Sequence, residues 1–221
     1  MNKQKLLSLK ENLPPYPGIN GIKDMYVSAV LVLITEIEGE FHYIFEKRKT
    51  GIRQGGEICF PGGGHDHTID NSLIETAKRE ASEELGIDIS DFHVIGNLNT
   101  LVSPLGTVVY AYLAEIDQKV FSKINPNLDE VESIFTLPVN HFLLYPPQEY
   151  KVQVKAFADG HCSDLEDNVF LPVKKLGLPD IYSQPWGGAF YKVYVYPTEY
   201  GTIWGITSRF IFEMSEYLKL S

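Results

Sequence analysis

"SLIETAKREASEELG", residues 72–86, reads as one helix with both ends marked. Ser72 and Glu75 fit a capping box at its start, Asp70 and Asn71 are competing caps, and Gly86 is a stop. At about 100° per residue, Leu73, Ile74, Ala77, Ala81 and Leu85 form one apolar stripe that must face a core. Glu80, Glu83 and Glu84 form a second stripe on its flank, with Glu84 close to the core edge. That placement is costly twice over. A helix C-terminus carries partial negative charge, and carboxylates at i, i+3 and i+4 repel one another. A solvated acidic face is the ordinary reading of such a cluster, but it suits poorly acids that border the buried stripe. Arg79 can pair with Glu83 at i, i+4. Glu80 and Glu84, one turn apart, then suit a hard divalent cation with oxygen ligands, Mg²⁺ or Mn²⁺. The preceding "FPGGG" permits close backbone approach, and a carbonyl of Gly62 or Gly63 can complete such a site.

Strands surround this helix. "MYVSAVLVLITEI" is nearly continuously apolar and reads as a strand buried on both faces. A turn at Glu38-Gly39-Glu40 joins it to "GEFHYIFEKR" as a hairpin. "GGEICFPGGGHDHTID" reads as a short strand running into a glycine-rich loop. "FHVIGNLNTLVS" and "GTVVYAYLAEI" read as two strands separated by the turn signal "PLG". "LPVNHFLLY" predicts a short helix, "FYKVYVY" (190–196) a strand. "GTIWGITSRFIFEMSEYLKL" predicts an amphipathic closing helix with Trp204, Phe210, Ile211 and Met214 in the core. Residues 1–24 read as a short helical lead-in. The order implies a mixed sheet covered by helices, an α/β fold. The chain reads as a single domain over 1–221, with an elaboration at about 146–199.

Composition narrows the function. The 221 residues are 44% hydrophobic, enough for a core. A net charge of −10 argues against a nucleic-acid surface held by bulk basic charge. Cys59 and Cys162 show no ligand spacing and suggest neither zinc nor a disulfide framework. The N-terminus lacks a signal-peptide apolar run, and the longest apolar stretch is too short to span a bilayer. The expectation is a cytoplasmic protein without a membrane partner.

"GHDHTIDNSLIETAKREASEELGI" resembles the Nudix box, G-x5-E-x7-R-E-U-x-E-E-x-G-U, where U is apolar. Its second half matches throughout. Its first half places Asp70 where the usual form has Glu, and eight residues rather than seven precede Arg79-Glu80. "EKRKTGIRQGGEICFPGG" is similar to the segment before the box in coenzyme A diphosphatases, through Arg48, Arg53, Gly56, Glu57 and Phe60. "NPNLDEVESIFTLPVNHFL" and "GTIWGITSRFI" resemble later segments of that subfamily. The resemblance covers roughly residues 25–145 and 200–215.

What this resemblance implies is a Nudix α/β/α sandwich with a mixed central sheet. It implies Mg²⁺- or Mn²⁺-dependent hydrolysis of coenzyme A or its thioesters to 3′,5′-ADP and 4′-phosphopantetheine, or the acyl form. Glu80, Glu83, Glu84 and Gly62 would hold the metal, and Arg79 would orient the carboxylates. Glu80, Glu130 and Glu132 are candidates for a general base, although "DEVE" also reads as an exposed acidic turn. Arg48 and Arg53 are candidates for substrate phosphates. ADP-ribose or a dinucleotide is the alternative substrate, and a non-catalytic Nudix-fold binding module the alternative class. His65 and His67 read as surface polar residues, Cys59 as a small buried hydrophobe, and Trp204 as core rather than a base-stacking platform. Tyr191, Tyr194 and Tyr196 are candidates for a pocket wall or a homodimer surface.

Overall fold

The computed structural model describes residues 2–158 and 171–220. Helix α1 (Lys3–Asn12) buries none of its residues. Strand β1 (Tyr26–Ile37) is the spine of the fold. Ala29, Leu31 and Leu33 pack on one side of it, and Val32 and Ile34 on the other. The apolar run thus fills both faces, as the sequence predicts. β1 turns through Glu38 and Gly39, both at positive φ, into β2 (Glu40–Arg48), with Ile37 paired to Glu40. Two consecutive left-handed residues give the tight turn that matches strand twist.

β1 and β2 then diverge. β3 (Ile58–Cys59) pairs with β2 at Glu46 and Lys47, and β4 (Gly62–Gly64) pairs with β1 at Val30, Ala29 and Ser28. The "FPGGG" stretch expected as loop is therefore partly sheet, filling the gap between the splayed strands. Helix α2 (Leu73–Leu85) lies over it and over β1. β5 (His93–Asn97) and β6 (Leu101–Ser103) both pair with β7 (Thr107–Glu115), so the single strand expected from "FHVIGNLNTLVS" is two. Asn99 lies in the break. Its side-chain amide donates to Glu213 Oε1 at 2.6 Å and to the Tyr217 hydroxyl at 2.7 Å. β7 runs parallel to β1, and among the described residues every other strand pair of this sheet is antiparallel. The sheet is mixed, in the order β3-β2-β1-β7-β5. The short helix α3 (Gln118–Phe121) leads to β8 (Val131–Pro138), which takes the outer edge of β2, and to α4 (Val139–Leu144).

The described residues of 146–158 and 171–200 hold more order than the sequence suggests. β9 (Gln148–Ala156), β10 (Trp186–Thr198) and β11 (Gly201–Trp204) form a second, antiparallel sheet in the order β11-β10-β9. The closing helix α5 (Gly205–Leu218) begins four residues later than predicted. Gly201 adopts a positive φ, which a right-handed helix excludes, and Gly201–Trp204 pair with β10, so the helix opens only at Gly205. Phe210, Ile211 and Met214 are buried as expected, but Trp204 is 48% exposed. Tyr194 and Tyr196 face the core and are not a dimer surface; Tyr194 stacks on Phe212. Cys162 lies outside the described residues. The sandwich is complete: α2 covers one face of the main sheet, while α4, α5 and the β10–β11 hairpin cover the other. No helix among the described residues is long and apolar enough to cross a membrane.

Candidate active site

The acidic end of α2 meets the glycine strand. Ser72 caps the helix by accepting from the Glu75 N–H, and Gly86 closes it in the left-handed conformation. The Glu75 carboxylate reaches back one residue further than a capping box predicts, accepting from the Asn71 N–H at 3.0 Å. This fixed frame sends Glu84 inward to 2% exposure. Its Oε2 accepts from the Gly62 N–H at 2.8 Å, on the side of β4 that faces α2. Glu80 lies against Gly63, where a Cβ would stand 2.3 Å from Glu80 Oε2. Glycine is required at this point because the carboxylate occupies the space of a side chain. Gly63→Ala is expected to lower kcat/KM about 10- to 100-fold by displacing Glu80, with the fold kept. Steady-state kinetics beside circular dichroism test this, and unchanged turnover would show that the position of Glu80 is immaterial.

Beneath Glu84 lies a residue that sequence reasoning missed. Glu46 is fully buried on β2. It stands two residues after Ile44, which packs on the α2 side, so strand alternation points Glu46 there too. That parity was the available signal. Glu46 Oε1 accepts from the Cys59 thiol at 3.1 Å, whereas Oε2 is buried without a hydrogen-bond partner. Arg48 Nη1 lies 3.5 Å from Glu46 and 3.5 Å from Glu84. The single guanidinium serves two buried acids. Burial, and then the Glu46 charge, push Glu84 up to about 9; burial pushes Glu46 up to about 7. Glu80 is also raised, chiefly by burial. Cys59 is a hydrogen-bond donor more than a plain hydrophobe. Burial and then Glu46 hold its thiol well above the ordinary range, which argues against a nucleophile.

Asp70 has a definite place. It holds Arg79 by two contacts, Nε to Oδ1 at 2.8 Å and Nη2 to Oδ2 at 3.0 Å. Arg79 Nη2 also lies 2.9 Å from Glu80 Oε1. The predicted pairing of Arg79 with Glu83 is the longest of its ion pairs, at 3.4 Å, and Glu83 points outward. Asp70 further accepts from the Thr76 hydroxyl at 2.9 Å and the Asp66 N–H at 3.1 Å. Hydrogen bonds from Arg79 come first in holding its carboxyl well below the ordinary range. With the Thr76 proton directed at Asp70, His65 Nδ1, 2.7 Å from that hydroxyl, is the donor to it. His65 is thus part of a half-buried network rather than a surface polar residue, and His67 stands edge-on to it. A cleft of about 530 Å³ opens here, lined by the 64–69 loop, Arg79 and Glu80.

The remaining candidates separate by location. Arg53 is exposed, its guanidinium 4.9 Å above the Tyr26 ring. Glu132 is paired with Lys47 at 2.7 Å. Glu130 is exposed, and its charge acts on both Glu46 and Glu80.

The acids are not gathered as a ready metal cage among the described residues; arginines face them instead. The donor set nevertheless fits a hard cation. It offers oxygen donors only, the carboxylates and the Gly62 carbonyl; Glu46 Oε2 lies buried without a hydrogen-bond partner beneath them, and the set carries more negative charge than Arg48 alone offsets.

A mixed sheet sandwiched between helices, with carboxylates from a helix end meeting a glycine strand, defines a Nudix-type α/β/α protein. The NUDIX domain model matches residues 25–160, and the chain belongs to the Nudix family. Among its relatives is the mitochondrial coenzyme A diphosphatase NUDT8 of Homo sapiens, 33% identical over 125 residues, 56% of this chain and 52% of that protein. Another is the peroxisomal coenzyme A diphosphatase NUDT7 of Mus musculus, 31% identical over 143 residues, 63% of this chain and 59% of that one. The chain thus spans between half and three fifths of the length of these two relatives. A solved Nudix hydrolase from M. Smegmatis, RenU, aligns with 53% of this chain and 73% of its own, at a TM-score of 0.45 and 18% identity.

Proposed function

We propose that this chain hydrolyses the diphosphate bond of coenzyme A or its thioesters, releasing 3′,5′-ADP and 4′-phosphopantetheine or its acyl form. The observation that carries the chemistry is Glu84, buried against the Gly62 N–H with Glu46 beneath it and Glu80 one turn away. The choice of substrate rests on the likeness to the two diphosphatases and on the Arg48–Phe60 segment. Glu80, Glu83, Glu84 and the Gly62 carbonyl are the proposed ligands of Mg²⁺ or Mn²⁺. Such an ion supplies polarisation of the diphosphate oxygens and a more acidic water. Arg79, clamped by Asp70, holds Glu80 against Gly63. Arg48 moderates the charge of Glu46 and Glu84, which leaves Arg53 better placed than Arg48 to take a phosphate oxygen. Glu132 is occupied by Lys47, and this favours Glu130 as the group that accepts a proton from water. The relatives named above are mitochondrial and peroxisomal, so they lend no support to a cytoplasmic placement.

The test is turnover of coenzyme A, an acyl-coenzyme A, ADP-ribose and a dinucleotide with Mg²⁺ and with Mn²⁺, the products being separated by chromatography. Coenzyme A and its thioesters are expected to react fastest. Faster turnover of ADP-ribose would overturn the substrate assignment, and no metal-dependent turnover of any of them would overturn the hydrolase reading.

A further inference from the structure

A second cleft of about 540 Å³ lies between the Gly55–Glu57 loop and the β10–β11 hairpin, lined by Gly55, Gly56, Glu57, Val195, Thr202 and Trp204. The hairpin has two distinct faces. Tyr194, Tyr196 and Ile203 point into the core. Val195 pairs with Trp204, and Pro197 with Thr202, on the opposite face. Trp204 is 48% exposed there, although the core has no use for it on that side. The facing wall is the Gly55–Gly56 backbone with Glu57 beside it. Gly56 is at φ +81, and a Cβ added to it would meet nothing within 4 Å, so it faces open space. The indole and the Gly55–Gly56 backbone line the same open cleft, which has room for a flat ring.

The slot also carries acceptors. The Glu57 carboxylate is half-buried and receives no hydrogen bond from the described residues, and the Thr202 hydroxyl stands on the other wall. The slot is tied directly to the acidic site. Gly56 N–H donates to the Arg48 carbonyl, and Arg48 N–H to the Glu57 carbonyl, each at 2.9 Å. The guanidinium of that same Arg48 lies 3.5 Å from Glu84.

We propose that this slot is a base-binding subsite, in which Trp204 stacks on an amino-bearing heteroaromatic ring, the adenine of a nucleotide, and Glu57 accepts from its exocyclic amine. Stacking on an aromatic side chain tolerates sequence but needs an exposed ring face, which Trp204 supplies. The 146–199 elaboration then has a role. β10 holds β11, and β11 sets Trp204 opposite the loop. The proposal rests on the nucleotide-diphosphate reading for the rest of the ligand.

The experiment is calorimetric titration of the full chain with ADP in EDTA, so that neither metal nor hydrolysis enters. Wild type is expected to bind saturably, Trp204→Ala about 10- to 100-fold more weakly, and Trp204→Phe within about threefold of wild type. In a Trp186→Phe background, where Trp204 alone emits, ADP is expected to quench the emission. Failure of wild type to bind ADP, or equal affinity of wild type and Trp204→Ala, overturns the subsite. The two readings fail separately. Trp204-dependent ADP binding without turnover of any diphosphate removes the hydrolase and keeps the slot. Turnover of coenzyme A with Trp204-independent binding removes the slot and keeps the hydrolase.

Discussion

Glu84→Gln is expected to lower kcat on the order of 10³-fold while making the metal-free protein more stable. The two effects have one origin. Glu84 is 2% exposed, next to a second buried acid, and only Arg48 stands between them. A buried carboxylate with too little positive charge around it is held ready for a cation, at a cost to the fold without one. Gln keeps the shape and the acceptor for Gly62, but it cannot neutralise a metal. The stability sign follows from linkage. The folded pKa, pushed up to about 9, stands above the unfolded value near 4.3. The folded carboxyl therefore keeps its proton where the unfolded one has lost it, and the metal-free wild type loses stability as pH rises from about 4.3 to about 9. Glu84→Gln should flatten that decline and gain roughly 1–3 kcal/mol near neutral pH. Urea denaturation in EDTA between pH 5 and 9 measures it. A variant with wild-type turnover would remove Glu84 from the proposed metal ligands. One with an unchanged pH slope would show that the strain is absent.

Asp70→Asn should do the opposite to the fold. Asp70 anchors Arg79 through two hydrogen bonds and collects Thr76 and the Asp66 N–H besides. Removing its charge leaves Arg79 to pair with Glu80 and Glu83 alone, so Glu80 is no longer held at Gly63. A loss of about 1–3 kcal/mol is expected, with a fall in kcat/KM on the order of 10- to 100-fold. Here the linkage sign reverses. Asp70 titrates below its unfolded value, so its contribution is present above about pH 4 and lost as pH falls through its lower folded pKa. The variant should therefore lack part of the acid-unfolding transition. An acid limb and a stability identical to wild type would show that the Asp70–Arg79 pair contributes nothing net to the fold.

The helix, its caps and its inward acids were legible because they follow from periodicity over a short window. So were the doubly buried β1 and its hairpin with β2, since strand burial is written in runs of apolar residues. Two departures have clear physical reasons. "GGG" reads as loop because glycine has no strand preference of its own, yet the splay of β1 from β2 makes it a strand. "GTIW" reads as helix from its apolar spacing, but positive φ at Gly201 and pairing to β10 make it an edge strand. Strand pairing depends on residues far away in the chain, which no local pattern reports.

The sequence by itself determined that α2 exists, where it stops, and that Glu80 and Glu84 flank its buried stripe. These are properties of a 3.6-residue repeat and of side-chain chemistry. Only the tertiary structure decided that Glu46 lies beneath Glu84, that Asp70 rather than Glu83 takes Arg79, and that Trp204 faces outward across a cleft from Gly56. Each of those facts joins residues from separate elements. Distance through space, and the burial that sets each charge, arise only when the sheet and its helices close on one another.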